Sequence, residues 1–428
     1  MLEIVLVNVE TGRVLLMKRR MVSIITLTLL LTSMLRFGFQ VQPVRAQTEG
    51  TIYIRGDGSI DPSTAPIQRN GYLYTLTSNI TNYAANATIV VERNNIVVDG
   101  AGFAVEGKPG YRERGSIGIS LNGTSNVTIQ NMNFDNPYTG ILLDSSFNNS
   151  INGNFMTRHD YGILLDSSFN NSINGNTMTE SIDGIFLYSS SNNSIEKNTL
   201  TDTEGIRFNF SSNYNSIKRN NITNGHGGIR FDFSCDNNII EENNIASSFM
   251  GINIYDSSEN NSIHGNNITN NSLGGIEFDT TSINNSIYEN TIENNTVGVV
   301  INTWSQMSLN AAYDTPLPNS SSNTFYHNNI ITNTQQVSSS NLSGYSNVWD
   351  GGYPLGGNYW SDYNGTDEDH DGIGDTAYVI DANNIDRYPL VTQYVVPEFS
   401  SFLIVPLFCI ASLLARAIYR KKRSNEVT

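Results

Sequence analysis

Between residues 118 and 330 the chain repeats itself about every 22 residues, and that period restricts its fold more than any other feature. A Gly-Ile-X-apolar signature begins at Gly118, Gly140, Gly162, Gly184, Gly205, Gly228, Gly251, Gly275 and Gly298, with Val299 standing for the isoleucine in the last copy. The steps are 22, 22, 22, 21, 23, 23, 24 and 23 residues. A second signature, apolar-X-X-Asn-X-apolar, alternates with it. Its copies are Ile151/Asn154/Met156, Ile173/Asn176/Met178, Ile195/Asn198/Leu200, Ile217/Asn220/Ile222, Ile240/Asn243/Ile245, Ile263/Asn266/Ile268 and Ile287/Asn290/Ile292. Phe325/Asn328/Ile330 continues it after an interruption.

Each signature is short and alternates apolar with polar residues, which is the period of a β-strand. Between them lie Ser-Ser-X-Asn-Asn-Ser runs such as 145–150, which favour turns and do not sustain a helix. A coil of this length therefore holds two or three short strands and tight corners. One coil cannot bury its own apolar side, so coils stack about 4.8 Å apart and each strand pairs with its copies above and below. The expected fold is all-β, a right-handed single-stranded parallel β-helix. Roughly nine or ten coils give a rod about 45 Å long. Ile141 and Leu143, Ile163 and Leu165, Ile185 and Leu187, Ile206 and Phe208, and Ile229 and Phe231 would point inward in two stacked files. The Asn154-to-Asn290 file is expected to satisfy backbone groups at one corner and to bond the next Asn in a ladder, a structural role. A leucine-rich horseshoe shares the period and an Asn ladder, but it wants Leu in the core and a helix on its convex side. Here the core positions are Ile and Phe, and the second half of each unit is another strand.

A net charge of −16 with only 15% charged residues argues against nucleic acid as a partner, because phosphate binding needs a basic surface. Cations, neutral sugars and a cell envelope remain compatible. Cys235 and Cys409 lie far apart, which excludes a disulfide framework and a CxxC metal site. Residues 1–46 read as a leader: basic Lys18, Arg19 and Arg20, an apolar core from Val22 to Leu35, and a cleavage site after Ala46, with translation starting at Met1, Met17 or Met21. Residues 397–428 read as a membrane anchor or sorting tail, apolar from Phe402 to Ala415 and then basic at Arg420-Lys421-Lys422-Arg423. Pro397-Glu398-Phe399 resembles the opening of archaeal C-terminal sorting signals. Asn-X-Ser/Thr sequons at Asn79, Asn122, Asn148, Asn170, Asn192 and elsewhere agree with an outward-facing glycoprotein. Between leader and anchor the expected order is an N-terminal cap (47–93), the β-helix (94–348, with an insertion at 303–320) and a C-terminal cap (349–396). The insertion, carrying Trp304, Met307 and Tyr313, would be a binding loop or a cover on one side.

From about Ile96 to Leu390 these residues resemble the archaeal branch of the NosD-like, pectin-lyase-type β-helix family. Asn94-Asn95-Ile96-Val97-Val98-Asp99-Gly100 is similar to that family's first coil, and Gly357-Asn358-Tyr359-Trp360-Ser361-Asp362-Tyr363 with Asp386-Arg387-Tyr388-Pro389-Leu390 to its closing segment. The resemblance implies carbohydrate binding or processing, or, in the name-giving branch, copper supply to a reductase. Fold alone does not choose between them.

The sharpest chemical motif is Asp367-Glu368-Asp369-His370-Asp371-Gly372-Ile373-Gly374-Asp375. Asp367, Asp369, Asp371 and Asp375 with the Ile373 carbonyl match most of a Ca2+ loop, although Tyr378 stands where a bidentate Glu belongs. Such an ion would lock the C-terminal cap; without one the segment is an acidic solvent loop. Outward positions of the glycine strand form the other candidate. One file runs Asn122, Asp144, Asp166, Tyr188, Asn209, Asp232, Tyr255, Asp279 and Asn302, and its neighbour holds Phe186, Arg207, Arg230, Asn253 and Glu277. Aromatic faces beside carboxylates and guanidinium groups suit sugar rings and hydroxyls. Tyr188, Arg207, Arg230, Asp232, Tyr255, Glu277 and Asp279 are thus candidate ligand contacts, and Asp232, Arg230 and Arg207 the candidate catalytic set. A merely solvated face with cross-coil Arg–Asp pairs explains the same residues without catalysis. Copper needs converging His, Met or Cys, and His159, His226, His264 and His327 fall in different registers. The reading is an extracellular, surface-anchored module that binds glycan or another envelope ligand, or serves as scaffold. A polysaccharide lyase or glycoside hydrolase is the alternative, and a copper-handling protein the minor one.

Overall fold

The computed structural model describes residues 45–47, 50–82, 87–107, 115–279, 281–302, 321–339 and 346–395, without the side chains of 45–47, 279, 302 and 339. The leader up to residue 44, the insertion at 303–320 and the anchor from 396 onward lie outside the described residues.

Each coil gives one strand to each of three sheets. In one coil these are Thr139–Asp144, Ser150–Asn152 and Phe155–Thr157; in the next they are Tyr161–Asp166, Ser172–Asn174 and Thr177–Thr179. Strands of consecutive coils pair in parallel, in register and without slippage: Ile141 sits over Ile163, Ile151 over Ile173 and Met156 over Met178. No helix occurs among the described residues, so the horseshoe alternative falls. The winding is that of a right-handed parallel β-helix.

The inward files are as the alternation predicts. Ile119 and Leu121 stack under Ile141 and Leu143, and the files continue through Ile206 and Phe208, Ile229 and Phe231, to Ile276 and Phe278, all fully buried. Phe208 and Phe231 stack with ring centroids 4.7 Å apart. The glycine opening each first-sheet strand is required by crowding: a Cβ on Gly140 would lie 2.5 Å from the Gly162 carbonyl oxygen.

Asparagine ladders run along two corners from Asn149 and Asn154 onward, not along one. Asn154, Asn176, Asn198, Asn220, Asn243, Asn266, Asn290, Asn328 and Asn358 hand a hydrogen bond from backbone N–H to the next Oδ1. Asn149, Asn171, Asn193, Asn215, Asn238, Asn261, Asn285, Asn323 and Asn347 do the same at the preceding corner. A shorter third ladder joins Asn271, Asn295 and Asn333. Buried hydroxyls at Ser146, Ser168, Ser190, Ser212 and Ser258 form another column, in which Cys235 replaces a serine and bonds the Asp232 carbonyl. These columns supply internal partners to corner amides that water cannot reach.

The solenoid begins earlier than the sequence suggests. Ile52–Ile54, Leu73–Leu76 and Asn79–Thr81, inside the segment expected as a cap, pair in parallel with Ala87–Val91, Ile96–Asp99 and Ala104–Glu106. The antiparallel strands Ile60–Asp61 and Ile67–Asn70 flank that rung. At the other end Trp349 stacks on Phe325 at 4.2 Å, and Trp360 donates its indole N–H to Asp386. The buried Asp386 also accepts from the Asn358 and Tyr388 amides, so the closing segment continues the ladder into the cap.

Candidate functional site

Three outward files cross the first sheet, and their chemistry changes along its length. Nearest the glycines run Thr139, Tyr161 and Asp183; next come Leu142, Leu164, Phe186, Arg207, Arg230, Asn253 and Glu277; last come Asp144, Asp166, Tyr188, Asn209 and Asp232. The polar and aromatic residues concentrate between Tyr161 and Glu277.

Arg207 and Arg230, one coil apart, both bind Asp232. Arg207 Nε donates to Asp232 Oδ2 at 3.0 Å, and Arg230 Nε donates to Oδ1 at 2.9 Å and Oδ2 at 3.0 Å. The carboxylate is covered, 2% exposed, while the Arg207 and Arg230 side chains are 28% and 43% exposed. Each guanidinium also lies over an aromatic ring: Arg207 over Phe186 at 5.4 Å and Arg230 over Tyr255 at 5.1 Å. Asp232 therefore positions two arginines; it is not the solvent-facing acid expected from its place in the file. Asn209, Asn253 and Glu277 are likewise buried, which corrects the picture of an open solvated face. Coils are so closely spaced that long side chains lie flat over shorter neighbours. Tyr255 Oη donates to Glu277 at 2.5 Å, and Asn253 donates to the same oxygen at 2.8 Å. Burial first, and then the Glu277 charge, push the Tyr255 hydroxyl far above its usual range.

Asp183 is a candidate residue that sequence reasoning missed. It lies over Tyr161 in register, is 3% exposed, and its Oδ1 has no hydrogen-bond partner. Burial pushes its carboxyl up to about 7; Arg207 and Arg230 oppose the shift, and Glu204 and Asp232 reinforce it. Asn209 Oδ1 is also buried without a partner. Asp256, one coil beyond Asp232, is raised by burial and by Asp232.

Beside this cluster an aromatic ladder faces solvent. Tyr188, Phe210 and Phe233 are 38%, 44% and 48% exposed, with successive ring centroids 5.0 Å apart. Phe210 and Phe233 have φ of 48° and 56°, a left-handed backbone that is rare for a bulky side chain. Ser145, Ser167 and Ser189 have the same left-handed backbone at this corner of earlier coils, so the conformation belongs to the repeat and the phenylalanines are what is particular here. Tyr161 stacks on Phe186 at 5.5 Å, and Phe186 meets Tyr188 edge-on, so the aromatic surface reaches the Arg pair. Of the residues expected to act together, Tyr188, Arg207, Arg230, Asp232, Tyr255 and Glu277 do share this surface. Asp279 follows by strand register with Asn302, its side chain being outside the described residues.

The C-terminal acidic loop is partly assembled. Asp367, Asp369 and Asp371 place carboxylate oxygens within 4.8 Å of one another. Asp367 accepts from the Asp371 and Gly372 amides, and Asp371 from the Ile373 amide. The Asp375 carboxylate instead accepts from the Glu368 amide and the Thr366 hydroxyl. A cleft of about 290 Å³ lies nearby between the last coil and the cap, lined by Gln335, Gln336, Asp362 and Tyr378. Its polar groups serve one another: Gln336 donates to Ser361, and Tyr378 to Asp362.

Copper demands soft or imidazole donors brought together. His159 is buried with Nδ1 on the Pro137 carbonyl, whereas His226 stacks on Phe249, His264 on Tyr288 and His327 on Tyr394. Cys235 is buried, and its thiol is pushed up to about 12 by desolvation. The cluster of potential ligands found among the described residues is the all-carboxylate one in the acidic loop, a set for hard cations. The described residues do not fit a copper site.

Comparison with solved structures gives the same architecture. A point mutant of the periplasmic alginate epimerase AlgG is 18% identical over 71% of this chain and 83% of its own, with a TM-score of 0.54. The epimerase without that mutation is 17% identical over the same shares, with a TM-score of 0.53. The catalytic domain of a GH87 α-1,3-glucanase in complex with nigerose is 12% identical over 74% of this chain and 64% of its own, with a TM-score of 0.48. At such identities the likeness to the two epimerase structures is one of fold. No curated protein matches the chain. The family model described as periplasmic copper-binding protein (NosD) matches residues 51–224 and 202–365, a span that takes in every coil described above. The chain belongs to the NosD family.

Proposed function

We propose that this protein is an extracellular carbohydrate-binding β-helix whose first sheet is the binding surface. The observation that carries the reading is the exposed ladder Tyr188, Phe210 and Phe233 beside Arg207 and Arg230. Tyr188 tilts against Phe210, and Phe210 stacks nearly parallel on Phe233, so the ladder offers an exposed apolar strip along the solenoid axis. A sugar polymer presents apolar ring faces and hydroxyl edges in alternation, and aromatic rings flanked by guanidinium and carboxylate groups match both. The periplasmic setting named in the family description, the leader-like residues 1–46 and the sequons support an outward location. The apolar stretch from Phe402 to Ala415 supports a membrane anchor; among the described residues no helix is long and apolar enough to cross a membrane. A glycan array probed with the protein and with a Phe210→Ala/Phe233→Ala variant tests the reading. Binding to a polysaccharide that the double variant loses at least tenfold supports it; binding unaffected by the double variant defeats it.

A polysaccharide lyase or hydrolase is favoured by one specific observation, the buried Asp183 held near neutrality beside two arginines. Such a carboxyl can give or take a proton at physiological pH. New chain ends released from a polysaccharide panel, and abolished by Asp183→Asn in a folded variant, would establish it. The acidic loop is proposed to hold Ca2+ through Asp367, Asp369 and Asp371, with the Ile373 carbonyl and Asp375 completing the expected set, in a structural role. Copper handling is not proposed, since the donors do not converge.

A further inference from the structure

Stacking brings the Asn-X-Ser/Thr tripeptides into register along one corner. Where the chain turns from the first sheet into the second, Asn126, Asn148, Asn170, Asn192, Asn260 and Asn284 each begin one, and all six are exposed. Their φ angles lie between 54° and 58°, so they hold the same left-handed position in every coil. The hydroxyl residues that end the tripeptides fall in one file of the second sheet, Thr128 over Ser150, Ser172 and Ser194, and Ser262 over Ser286.

The fold accounts for part of this pattern, because asparagine tolerates a left-handed backbone and the ladder needs an asparagine after it. It does not demand the tripeptide. Asn95 and Ser322, with φ of 59° and 61°, hold the same position at the two ends without one. Inside the run two coils also lack it. Tyr214 stands in place of the first asparagine, and two residues after Asn237 the file carries Ile239 instead of a serine. Those two coils are the ones that present Arg207 with Phe210 and Arg230 with Phe233. The tripeptides thus form two blocks, separated beside the exposed phenylalanines.

We infer that this corner is N-glycosylated in two blocks, 126–192 and 260–284, and is bare at the two coils between them. Sugar chains then bracket the aromatic ladder without covering it. The inference rests on the outward location proposed above and not on what the ladder binds. The donor is an oligosaccharide joined through its anomeric carbon to a lipid phosphate. The asparagine Nδ2 forms a bond to that carbon, and the bond from the carbon to the phosphate oxygen breaks. The electron pair leaves on the phosphate, and Nδ2 releases one proton to solvent. Burial decides which tripeptides stay unmodified in the folded chain. Asn79 is 8% exposed, with Nδ2 donating to Glu106 and Oδ1 accepting from the Ala104 amide. Asn209 is 7% exposed. A sugar on either one has no room in the closed coil.

Glycopeptide mass spectrometry on the full-length protein, purified from the cells that naturally make it, tests the assignment. Sugar is expected on asparagines of both blocks and on neither Asn79 nor Asn209. Its absence from either block, or its presence on Asn79 or Asn209, overturns the inference and leaves the glycan-binding reading standing. Tyr214→Asn completes a missing tripeptide at a position that is 61% exposed. Made in the same cells, this variant should gain sugar there, and oxidation of Phe210 and Phe233 by hydroxyl radicals should fall at least twofold. Tyr214→Asn/Ser216→Ala, which cannot be modified at that position, should be oxidised as the wild type is. A Tyr214→Asn protein that stays unmodified, or one that is modified while both phenylalanines react as before, contradicts the bare gap.

Discussion

Replacing Asn220 by alanine tests the ladder at a single rung. Asn220 is 1% exposed. Its Nδ2 donates to the Ile195 carbonyl at 2.9 Å and to Asn243 Oδ1 at 3.0 Å. Its Oδ1 accepts from the Asn198 backbone N–H at 2.9 Å and from Asn198 Nδ2 at 3.0 Å. Truncation leaves the Asn198 N–H buried without a partner, at about 1–3 kcal/mol, and takes one bond from the Ile195 carbonyl, at about 1 kcal/mol. The vacated volume adds to this, and Asn198 Nδ2 keeps its bond to the Ile173 carbonyl. Asn220→Ala should therefore cost about 3–4 kcal/mol. Because each coil touches only its neighbours, the loss should fall first on the coils around residues 195–245 and lower the cooperativity of unfolding. Thr199→Ala, an outward position in an adjacent coil, is the control and should change stability by about 0.5 kcal/mol or less. Urea denaturation followed by far-ultraviolet circular dichroism measures both. An Asn220→Ala midpoint indistinguishable from that of Thr199→Ala would refute the claim that the ladder satisfies groups water cannot reach.

Asp183 gives a pH dependence of definite sign. Its carboxyl is raised from 3.8 to about 7, so the folded state holds a proton that the unfolded chain has released; the stability this brings is full below the unfolded value and is lost as pH rises toward 7. The span amounts to up to about 4 kcal/mol, so urea midpoints should fall between pH 4 and pH 7, and Asp183→Asn should flatten that fall and exceed the wild type at pH 8. A wild-type profile that rises over this interval together with an unchanged variant contradicts the assignment. Cys235 occupies a serine column and its thiol is buried and raised, so Cys235→Ser should alter stability by less than about 1 kcal/mol, and a thiol reagent should modify the native protein only in denaturant. Chelating Ca2+ should lower the melting temperature of the wild type and not of an Asp367→Asn/Asp371→Asn variant; an unchanged wild type with no ion bound in calorimetry removes the calcium proposal.

The solenoid was legible because its determinants are local and repeated. Ile206 and Ile229 are both fully buried, as strand alternation requires, and the Asn154-to-Asn290 file does what a corner asparagine should. The second ladder, through Asn149 and Asn171, stood in every Asn-Asn-Ser run, but those runs read as turn formers because propensity does not say which of two adjacent asparagines faces inward. Asp232 was placed on the correct face and assigned the wrong environment, since alternation gives direction and not the reach of the arginines that cover it. Asp183 escaped notice because it precedes its glycine, at the edge of the repeat unit, and only its burial near the charges of Arg207 and Arg230 gives it significance. Phe210 and Phe233 follow their strands where Ser145, Ser167 and Ser189 stand in other coils, and that replacement was the available signal.

Hydroxyl-radical footprinting with mass spectrometry, in the presence and absence of a glycan that the array identifies, tests the binding surface most directly. The account predicts protection of Tyr188, Phe210 and Phe233, with Phe155 and Ile239 on the other two sheets equally oxidised in both states. Protection confined to those other sheets or to the C-terminal cap, with the aromatic ladder unchanged, would contradict it.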